Sequence, residues 1–392
     1  MKYIWQHKTW PDFIWDSNEL IKALGKTRFN QGSLLSQMNA LGFDIQQIAR
    51  ADILVEEALK TSAIEGEVID PNAVRSSVGR KLGIAYAGVQ NIRDPKSDGL
   101  VDILLDATIN YQSDITKERL WGWQAALFPT GYSGLNKISV GAWRDDKNGS
   151  MQVISGPVGK EKVHYEAPPA IQLTKEMDTY ISWINTDQEI DGIIKAGLAH
   201  LWFVSIHPFD DGNGRLARTL TDMLLARDEN NSKRFYSLSS QIMAERNEYY
   251  DILNDAQKGK GEVTQWLKWF IECVNRAIKI SNILLKKVMI KSKLWKEFSH
   301  LKLNERQKKV INRLLDTWPE GFDGGLKNKK YKGIAHTSRA TAQRDLADLV
   351  QKGILIKKSG GRSACYDLDW EKFQNEPFVS SIEDLTPLQL AC

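Results

Sequence analysis

The segment HPFDDGNGRLAR, residues 207–218, places a histidine, two acids, a Gly-Asn-Gly turn and two arginines within twelve positions. The apolar run IIKAGLAHLWFVSI before it predicts a buried helix that delivers His207 at its end. The run LARTLTDMLLA after it predicts a second helix. Glycines let the backbone approach a ligand, and free N–H groups at a helix start attract anions. We therefore expect a tight turn between two helices that holds an anionic ligand beside His207.

Three groups around this turn suit phosphoryl chemistry. Arg215 and Arg218 lie three positions apart, so both can face one ligand with the two-pronged geometry that guanidinium offers to phosphate. Asp211 would balance that charge by holding Mg²⁺, while His207 accepts a proton from a hydroxyl near neutral pH. Each feature alone is more typical of a turn, a core residue or a surface network. Together they predict transfer of a phosphorus-centred group from a nucleotide to a hydroxyl.

The composition is that of a globular protein. The chain has 392 residues, 42% hydrophobic and 26% charged, which suits two or three domains with real cores. No apolar run has the length of a transmembrane helix, and MKYIWQHKTW lacks the features of a signal peptide. Cys273, Cys365 and Cys392 form no CxxC pair, which favours a reducing compartment. We expect a cytoplasmic protein with no membrane partner.

The last quarter of the chain differs in charge and pattern. Residues 301–366 contain 15 Lys and Arg against 6 Asp and Glu. An amphipathic helix starting at Asn304 precedes a turn-rich stretch, a second helix capped by Thr337 or Ser338, and a hairpin around residues 360–361. This order predicts a winged helix-turn-helix, in which one helix lies in the DNA major groove.

Two groups of polar residues in this module are candidates for contact with DNA. Winged helices also dock proteins or form dimers, so both kinds of partner remain open. The candidates are Arg339, Thr341, Gln343 and Arg344 on the second helix, and Lys357, Lys358 and Arg362 on the wing.

Apolar residues recur at helical spacing through most of the remaining chain. The predicted helical stretches are 18–25, 31–59 with a continuation to near Gly66, 100–128, 172–204, 216–226 and 263–296. Trp5, Trp10 and Trp15 have no helical spacing and predict an irregular segment that packs on a core. The runs MQVIS and KVHYEA, joined by GPVG and followed by Pro168 and Pro169, predict a β-hairpin.

The segment at 207–218 is similar to the signature of the Fic family, H-x-F-x-[D/E]-G-N-G-R-x-x-R. Every fixed position matches: His207, Phe209, Asp211, Gly212, Asn213, Gly214, Arg215 and Arg218. The likeness extends over about residues 100–290 and implies a mainly helical Fic-type core with a small β-hairpin flap. It also implies AMP transfer from ATP to a Ser, Thr or Tyr hydroxyl on a target protein and on the enzyme itself.

The resemblance implies a role for each part of the motif. His207 would be the general base, Asp211 would hold Mg²⁺, and Phe209 would anchor the loop in the core. The hairpin at about 152–165 would pin a target segment by strand addition. The nucleotide phosphates would bind Gly212, Asn213, Gly214, Arg215, Leu216, Ala217 and Arg218.

The motif at 207–218 says less about which nucleotide base is bound and which group is transferred. YYDILNDAQ resembles the family stretch that lines the adenine pocket, with Tyr249 at the aromatic position and Gln257 where related enzymes often have Asn. A phosphorylating branch of the fold replaces GNG by a turn that ends in Lys, so Gly214 favours AMP as the transferred group. Transfer of UMP, GMP or phosphocholine remains open.

The stretch TSAIEG, residues 61–66, resembles the inhibitory helix of the family, [S/T]-x-x-x-E-[G/N], at Thr61, Glu65 and Gly66. A Glu65 carboxylate on Arg218 would occupy the guanidinium meant for the γ-phosphate. Suppressing a 100-fold gain requires only about 2.7 kcal/mol, which one partly buried charge pair can supply. The alternatives are that Glu65 merely ends a helix, or that it positions water for AMP removal.

These inferences define four regions and two functions. The regions are a helical N-terminal region at 1–95 with the inhibitory helix, a Fic catalytic core at 96–298, a winged helix-turn-helix domain at 299–373, and a tail at 374–392. The favoured function is a self-inhibited protein adenylyltransferase that uses ATP and Mg²⁺. The alternative is a DNA-binding transcription regulator whose Fic core senses nucleotide. Formation of a homodimer also remains open.

Overall fold

The computed structural model describes residues 2–84, 91–147, 149–156, 160, 162–186, 189–315, 317, 321–322, 324–359 and 364–370. The chain divides into two compact units, Met1–Ser281 and Asn282–Cys392. The predicted hairpin turn at residues 360–361, the wing residue Arg362 and the tail at 374–392 lie outside the described residues.

The first unit is mainly helical. Its helices are α1 Ser17–Asn39, α2 Phe43–Ile64, α3 Pro71–Leu82, α4 Pro95–Ile109, α5 Lys117–Leu127, α6 Leu173–Asn185, α7 Gly192–Ile206, α8 Asn213–Asp228, α9 Leu238–Ala244, α10 Arg246–Lys258 and the start of α11 Thr264–Glu297. Its strands are β1 Tyr132–Ser133, β2 Asn136–Lys137, β3 Gln152–Ser155 and β4 Lys162–Glu166, and 3-10 turns cover Ile4–Gln6 and Ala170–Gln172. In the described part of the chain, no helix combines the length and apolar content needed to cross a bilayer.

Helices α7 and α8 form the centre of this unit. Almost every side chain of α7 is buried, because GIIKAGLAHLWFVSI is apolar around its whole circumference. The helix packs against α8 and is covered by α6 and α10. Gly197 allows close packing, since a Cβ there would lie 2.9 Å from the Phe270 ring. The turn that joins α7 to α8 is therefore held by two buried helices.

Helix α2 brings the N-terminal region onto α8. It packs against α3, α4, α8 and α9. In the second half of α2, the buried Glu57 carboxylate accepts hydrogen bonds from the Ser237 hydroxyl at 2.7 Å and the Ser239 N–H at 3.1 Å. The helix ends at Ile64, and Gly66 follows with φ +78°, as the sequence predicted.

The predicted boundaries at the N-terminus are wrong. Helices were expected at 18–25 and 31–59, but α1 runs unbroken from Ser17 to Asn39. Gly25 and Gly32 do not stop it, because neither takes the left-handed conformation with which a glycine typically ends a helix. The chain breaks instead before α2, at Gly42, which has extended backbone with φ −62° and ψ 153°.

Two predicted helical stretches are each divided in two. The stretch 100–128 contains the end of α4 and a new start at Thr116, whose hydroxyl caps α5 by accepting from the Arg119 N–H at 3.1 Å. The stretch 172–204 contains a new start at Asp191, whose carboxylate caps α7. A polar N-cap residue outweighs the surrounding apolar periodicity at both places.

The predicted hairpin is confirmed. Strands β3 and β4 pair antiparallel, with Val153 opposite Tyr165 and an irregularity after Val153. The buried Tyr165 hydroxyl donates to the Ser205 carbonyl at 2.8 Å, which fixes the hairpin to the end of α7. The N-terminal segment packs on the same hairpin: Trp5 Nε1 donates to the Glu166 carbonyl at 2.8 Å.

The second unit contains the end of α11, then α12 Glu305–Leu315, α13 Asn328–Ala335, α14 Arg339–Gln351, β5 Leu355–Ser359 and β6 Cys365–Leu368. The predicted caps are present: Asn304 accepts from the Gln307 N–H at 2.9 Å, and Ser338 accepts from the Thr341 N–H at 3.1 Å. The prediction of a turn-rich stretch after α12 is wrong in part, because that stretch contains α13. Buried Tyr331 anchors α13 through its hydroxyl on Asp345 at 3.1 Å.

The packing of α4 on α5 generates a stability prediction. A Cβ at Gly99 of α4 would lie 1.9 Å from the Ala126 carbonyl oxygen, whereas a Cβ at Gly122 of α5 would meet nothing within 4 Å. We expect Gly99→Ala to destabilise the first unit by about 2 kcal/mol or more through overpacking. The matched Gly122→Ala change should stabilise it by up to about 1 kcal/mol. Thermal unfolding followed by circular dichroism measures both, and equal effects of the two changes would contradict the packing described.

Candidate active site

The loop between α7 and α8 has a backbone that few sequences allow. His207 ends α7 in the left-handed region, with φ 51° and ψ 59°. A non-glycine residue held there is strained, and such strain concentrates at functional loops. Gly212 precedes α8 with φ 91°, and a Cβ at this position would lie 3.0 Å from the Phe128 ring. The loop therefore needs glycine at position 212 for both its conformation and its packing.

A buried arginine that the sequence analysis missed holds the backbone of this loop. The Arg144 side chain is completely buried, and its Nε donates to the His207 carbonyl at 2.7 Å. Its backbone N–H donates to the Pro208 carbonyl at 2.9 Å, and its Nη2 donates to the Pro168 carbonyl. Burial lowers the pKa of Arg144. The only sequence signal was a lone arginine in GAWRDD, with no spacing that relates it to the motif.

Phe209 and Asn213 brace the loop from inside. Phe209 is fully buried, and its ring centroid lies 5.0 Å from that of Trp143. The Asn213 amide accepts from the Phe209 N–H at 3.0 Å and donates to the Phe209 carbonyl at 2.8 Å. Both polar ends of the Asn213 side chain are thus used within the loop, so its predicted contact with phosphate is left to its backbone N–H.

The first amides of α8 form the predicted anion site only in part. The Leu216 N–H donates to the Gly212 carbonyl at 2.9 Å, so it is already used inside the helix. Leu216 and Ala217 are both fully buried. The N–H groups that a helix leaves unpaired at its start are those of Asn213, Gly214 and Arg215. The predicted contacts of Leu216 and Ala217 with a ligand therefore disagree with their place in the helix.

His207 is arranged as a neutral base. Its Nδ1 lies 3.3 Å from the Val204 carbonyl, and because a carbonyl only accepts, Nδ1 carries the proton and Nε2 has a free lone pair. Burial lowers the pKa of His207 to about 4. The imidazole is therefore uncharged at neutral pH and can accept a proton through Nε2.

Arg218 meets the end of α2. Its side chain is 2% exposed; Nε donates to the Thr61 hydroxyl at 2.7 Å, and Nη2 donates to the Thr61 carbonyl at 2.9 Å and to Glu65 Oε1 at 2.7 Å. Burial alone would lower the pKa of Arg218, but the Glu65 carboxylate raises it overall. Gly214 lies directly beneath, since a Cβ there would be 2.0 Å from Glu65 Oε1. The predicted residues Thr61, Glu65 and Arg218 are thus brought together.

Arg215 has a carboxylate partner that the sequence analysis did not anticipate. Its Nη1 donates to Glu67 Oε2 at 2.7 Å, and its guanidinium lies 4.9 Å above the Phe128 ring. Glu67 also accepts from Lys96 of α4. Position 67 lies one residue beyond the six-residue pattern at 61–66, so no motif position marked it.

Asp211 is the carboxylate predicted to hold Mg²⁺. It accepts from the Ser133 hydroxyl and lies 3.6 Å from the Arg215 guanidinium. Among the described residues, no group of three or more His, Cys, Asp or Glu side chains gathers to hold a metal. Mg²⁺ typically binds one or two carboxylates together with substrate phosphates and water. A single carboxylate with 40% of its side chain exposed, beside Arg215, fits an ion that arrives with a nucleotide.

Tyr249 and Gln257, the two residues predicted to line the adenine pocket, are both buried. The buried Tyr249 hydroxyl lies 2.9 Å from His200 Nε2, and the buried Gln257 amide donates to the Val204 carbonyl at 3.3 Å. One position further along α10, the Tyr250 hydroxyl donates to the Ile64 carbonyl at 3.3 Å, at the end of α2. Tyr249 also interacts with the motif residue Arg218, so the predicted contacts of Tyr249 and Gln257 with the nucleotide base stay predictions.

Comparison with known proteins gives matches to two separate parts of the first unit. Residues 114–225 match the Fic/DOC family, and residues 3–84 match a domain described as a domain of unknown function, DUF4172. A protein adenylyltransferase Fic of Nematostella vectensis is 35% identical over 114 residues, which cover 28% of this chain and 25% of that protein. A probable protein adenylyltransferase of Aquifex aeolicus is 28% identical over 95 residues, which cover 24% of this chain and 27% of that protein.

The fold agrees with these matches. A solved Fic family protein from Desulfovibrio desulfuricans superposes with a TM-score of 0.50 at 17% identity, over 89% of this chain and 95% of that one. The match to the Fic/DOC family at residues 114–225 thus lies within a mainly helical fold that resembles this solved Fic family protein. It spans about a quarter of the length of the two curated relatives named above.

The burial of His207 generates a pH prediction. Its folded pKa of about 4 lies below the value near 6.5 of an unfolded chain, so the unfolded state binds the proton more tightly. Stability from the neutral imidazole is complete above about pH 6.5 and is lost as the pH falls towards 4. We expect the His207 NMR resonance to titrate near pH 4, and His207→Gln to reduce the loss of stability over this range. A midpoint between pH 6 and 7 would contradict the burial of His207.

Proposed function

We propose that this protein transfers AMP from ATP to a Ser, Thr or Tyr hydroxyl of a target protein. The observation that carries the proposal is the neutral, half-buried His207 at the end of α7, followed by a helix whose first turns hold Arg215 and Arg218. The named activity of the curated relatives supports it. Three unpaired amides and two guanidinium groups make this helix start a site for a polyphosphate.

The proposed reaction is an in-line displacement at the α-phosphorus. The target hydroxyl loses its proton to His207 Nε2, its oxygen forms a bond to the α-phosphorus, and the bond to the pyrophosphate oxygen breaks. The products are an AMP ester of the target and pyrophosphate. Arg215 and Arg218 would hold the leaving phosphates, and Mg²⁺ on Asp211 would neutralise part of their charge.

Self-inhibition is part of the proposal. Arg218 has two hydrogen bonds to Thr61 and one to Glu65, so a γ-phosphate would have to replace the carboxylate to reach it. The end of α2 is further held by the Arg246 Nε, which donates to the Ile64 carbonyl at 2.9 Å. Glu65 would therefore act as the brake, and displacement of residues near 65 would release it.

The hairpin β3–β4 is proposed to position the target. Ile154 is 53% exposed and Val163 is 37% exposed, so the hairpin presents apolar side chains to solvent. Tyr165 fixes the hairpin to the carbonyl of Ser205, two residues before His207. An extended target segment paired along this hairpin would be held by backbone hydrogen bonds, which tolerate different sequences.

The test is AMP incorporation from α-labelled ATP with Mg²⁺. We expect Glu65→Gly to increase labelling, including self-modification, by roughly 100-fold, which corresponds to about 2.7 kcal/mol. Glu65→Gly combined with His207→Ala should show no label, because the base is missing. Equal labelling of wild type and Glu65→Gly would show that Glu65 is not a brake. Label on the double variant would show that His207 is not the base.

A second function, DNA binding, is supported by the surface of the second unit. Arg339, Gln343 and Arg344 of α14 are all exposed, and Lys357 is exposed on β5. Among the described residues, the Arg344 side chain makes a single long hydrogen bond, in which Nη2 donates to the Thr341 hydroxyl at 3.5 Å on the same helix. We propose that this face of α14 contacts DNA phosphates or bases.

The DNA proposal is tested by binding to duplex DNA at several salt concentrations. We expect affinity to fall steeply with salt, and Arg344→Glu to abolish the shift at moderate salt. Arg313→Glu on α12 makes the same change of charge at an exposed position and serves as the control. Absence of binding at low salt, or an equal loss for both variants, would favour a protein partner for this unit.

A further inference from the structure

One carboxylate, that of Glu67, lies between two cations. Its Oε2 accepts from Arg215 Nη1 at 2.7 Å, and its Oε1 accepts from Lys96 Nζ. The Arg215 side chain is 6% exposed, whereas Lys96 lies in the first turn of α4 with 48% of its side chain exposed. A buried guanidinium and an ammonium group from another helix therefore share a single anion.

Arg215 is oriented by groups other than Glu67. Its guanidinium lies 4.9 Å above the Phe128 ring and 3.6 Å from Asp211. Its Nε is buried and has no hydrogen-bond partner among the described residues. A buried donor without a partner is costly, and one carboxylate shared with Lys96 does not satisfy it. An anion with more acceptor oxygens, such as a phosphate, would satisfy Arg215 better than Glu67 does.

We propose that Lys96 and Arg215 form a phosphate subsite, which the Glu67 carboxylate fills in this conformation. The ligand would be the polyphosphate end of a nucleoside triphosphate, so this inference rests on the proposed function. Arg215 supplies two-pronged pairing, and Lys96 supplies a point charge from the opposite side of the anion. Lys96 is thereby a nucleotide-binding residue that lies outside the motif.

Glu65 and Glu67 lie in one short segment, and each of them pairs with one of the two motif arginines. Gly66 separates them with φ +78°, so that Glu65 reaches Arg218 while Glu67 reaches Arg215. Displacement of residues 65–67 would free both guanidinium groups together. Glu67 thus competes with the triphosphate, and Lys96 exchanges one anion for another without losing its partner.

The experiment measures the affinity of the full chain for α,β-methylene-ATP and for AMP, without a target protein. All variants carry Glu65→Gly, so that Arg218 is open in each. Adding Glu67→Gln should tighten binding of the triphosphate analogue about tenfold and change AMP affinity less than twofold. Adding Lys96→Met to Glu67→Gln should weaken triphosphate binding about tenfold, again without changing AMP affinity, and Lys96→Arg should retain most of it.

A matched control separates this effect from general loss of charge. Lys81 of α3 also pairs with a carboxylate, that of Asp102, away from the motif. Lys81→Met should leave both affinities unchanged, and thermal unfolding confirms that each variant is folded. A structural role for Lys96 would shift AMP and triphosphate affinities equally, and that result would overturn the subsite.

The outcomes distinguish this inference from the proposed function. If Glu65→Gly is labelled with AMP but triphosphate affinity is indifferent to residues 67 and 96, the subsite is wrong and the transferase proposal stands. If no variant binds the triphosphate analogue or becomes labelled, the transferase proposal fails and the subsite fails with it. A selective effect on the triphosphate supports both.

Discussion

The buried guanidinium of Arg218 is the constraint on which the site depends. Removing such a charge from water costs several kcal/mol unless an anion and hydrogen-bond acceptors replace the water. Thr61 and Glu65 provide these from the end of α2, although Nη1 remains buried without a partner among the described residues. A protein with this residue in its core must supply an anion or bind one. In the proposed reaction the γ-phosphate is the second anion, so inhibitor and substrate satisfy the same electrostatic requirement.

The rest of the first unit fixes the loop between α7 and α8. Helices α7 and α8 are buried on nearly all sides, so the loop between them has little freedom. Arg144 adds side-chain and backbone hydrogen bonds to the carbonyls at the end of α7, in a setting where each buried carbonyl needs a partner. The strained conformation of His207 is thereby maintained by contacts from residues far away in the chain.

The residue pattern predicted what is local, whereas the one distant contact that was predicted, between Glu65 and Arg218, came from the family resemblance. The loop at 207–218 and the stop at Gly66 follow from contiguous residues with strong backbone preferences, and the structure has both features. Arg144 and Lys96 act on groups more than 60 and nearly 30 positions away, and no periodicity relates such pairs. The boundary at Gly42 was missed because two earlier glycines carried the same signal without breaking α1.

The hydrogen bonds of the buried Glu57 carboxylate limit how the N-terminal region can open. This carboxylate is buried in the second half of α2 and bound to Ser237 and Ser239, so separating the whole helix from the core would break these buried hydrogen bonds. Unwinding the last turn, from about Thr61 onwards, leaves these hydrogen bonds intact. Local fraying of helix ends requires far less free energy than global separation and occurs much faster. Release of the brake proposed at Glu65 is therefore expected to resemble the loosening of a single helical turn, with little change in helix content.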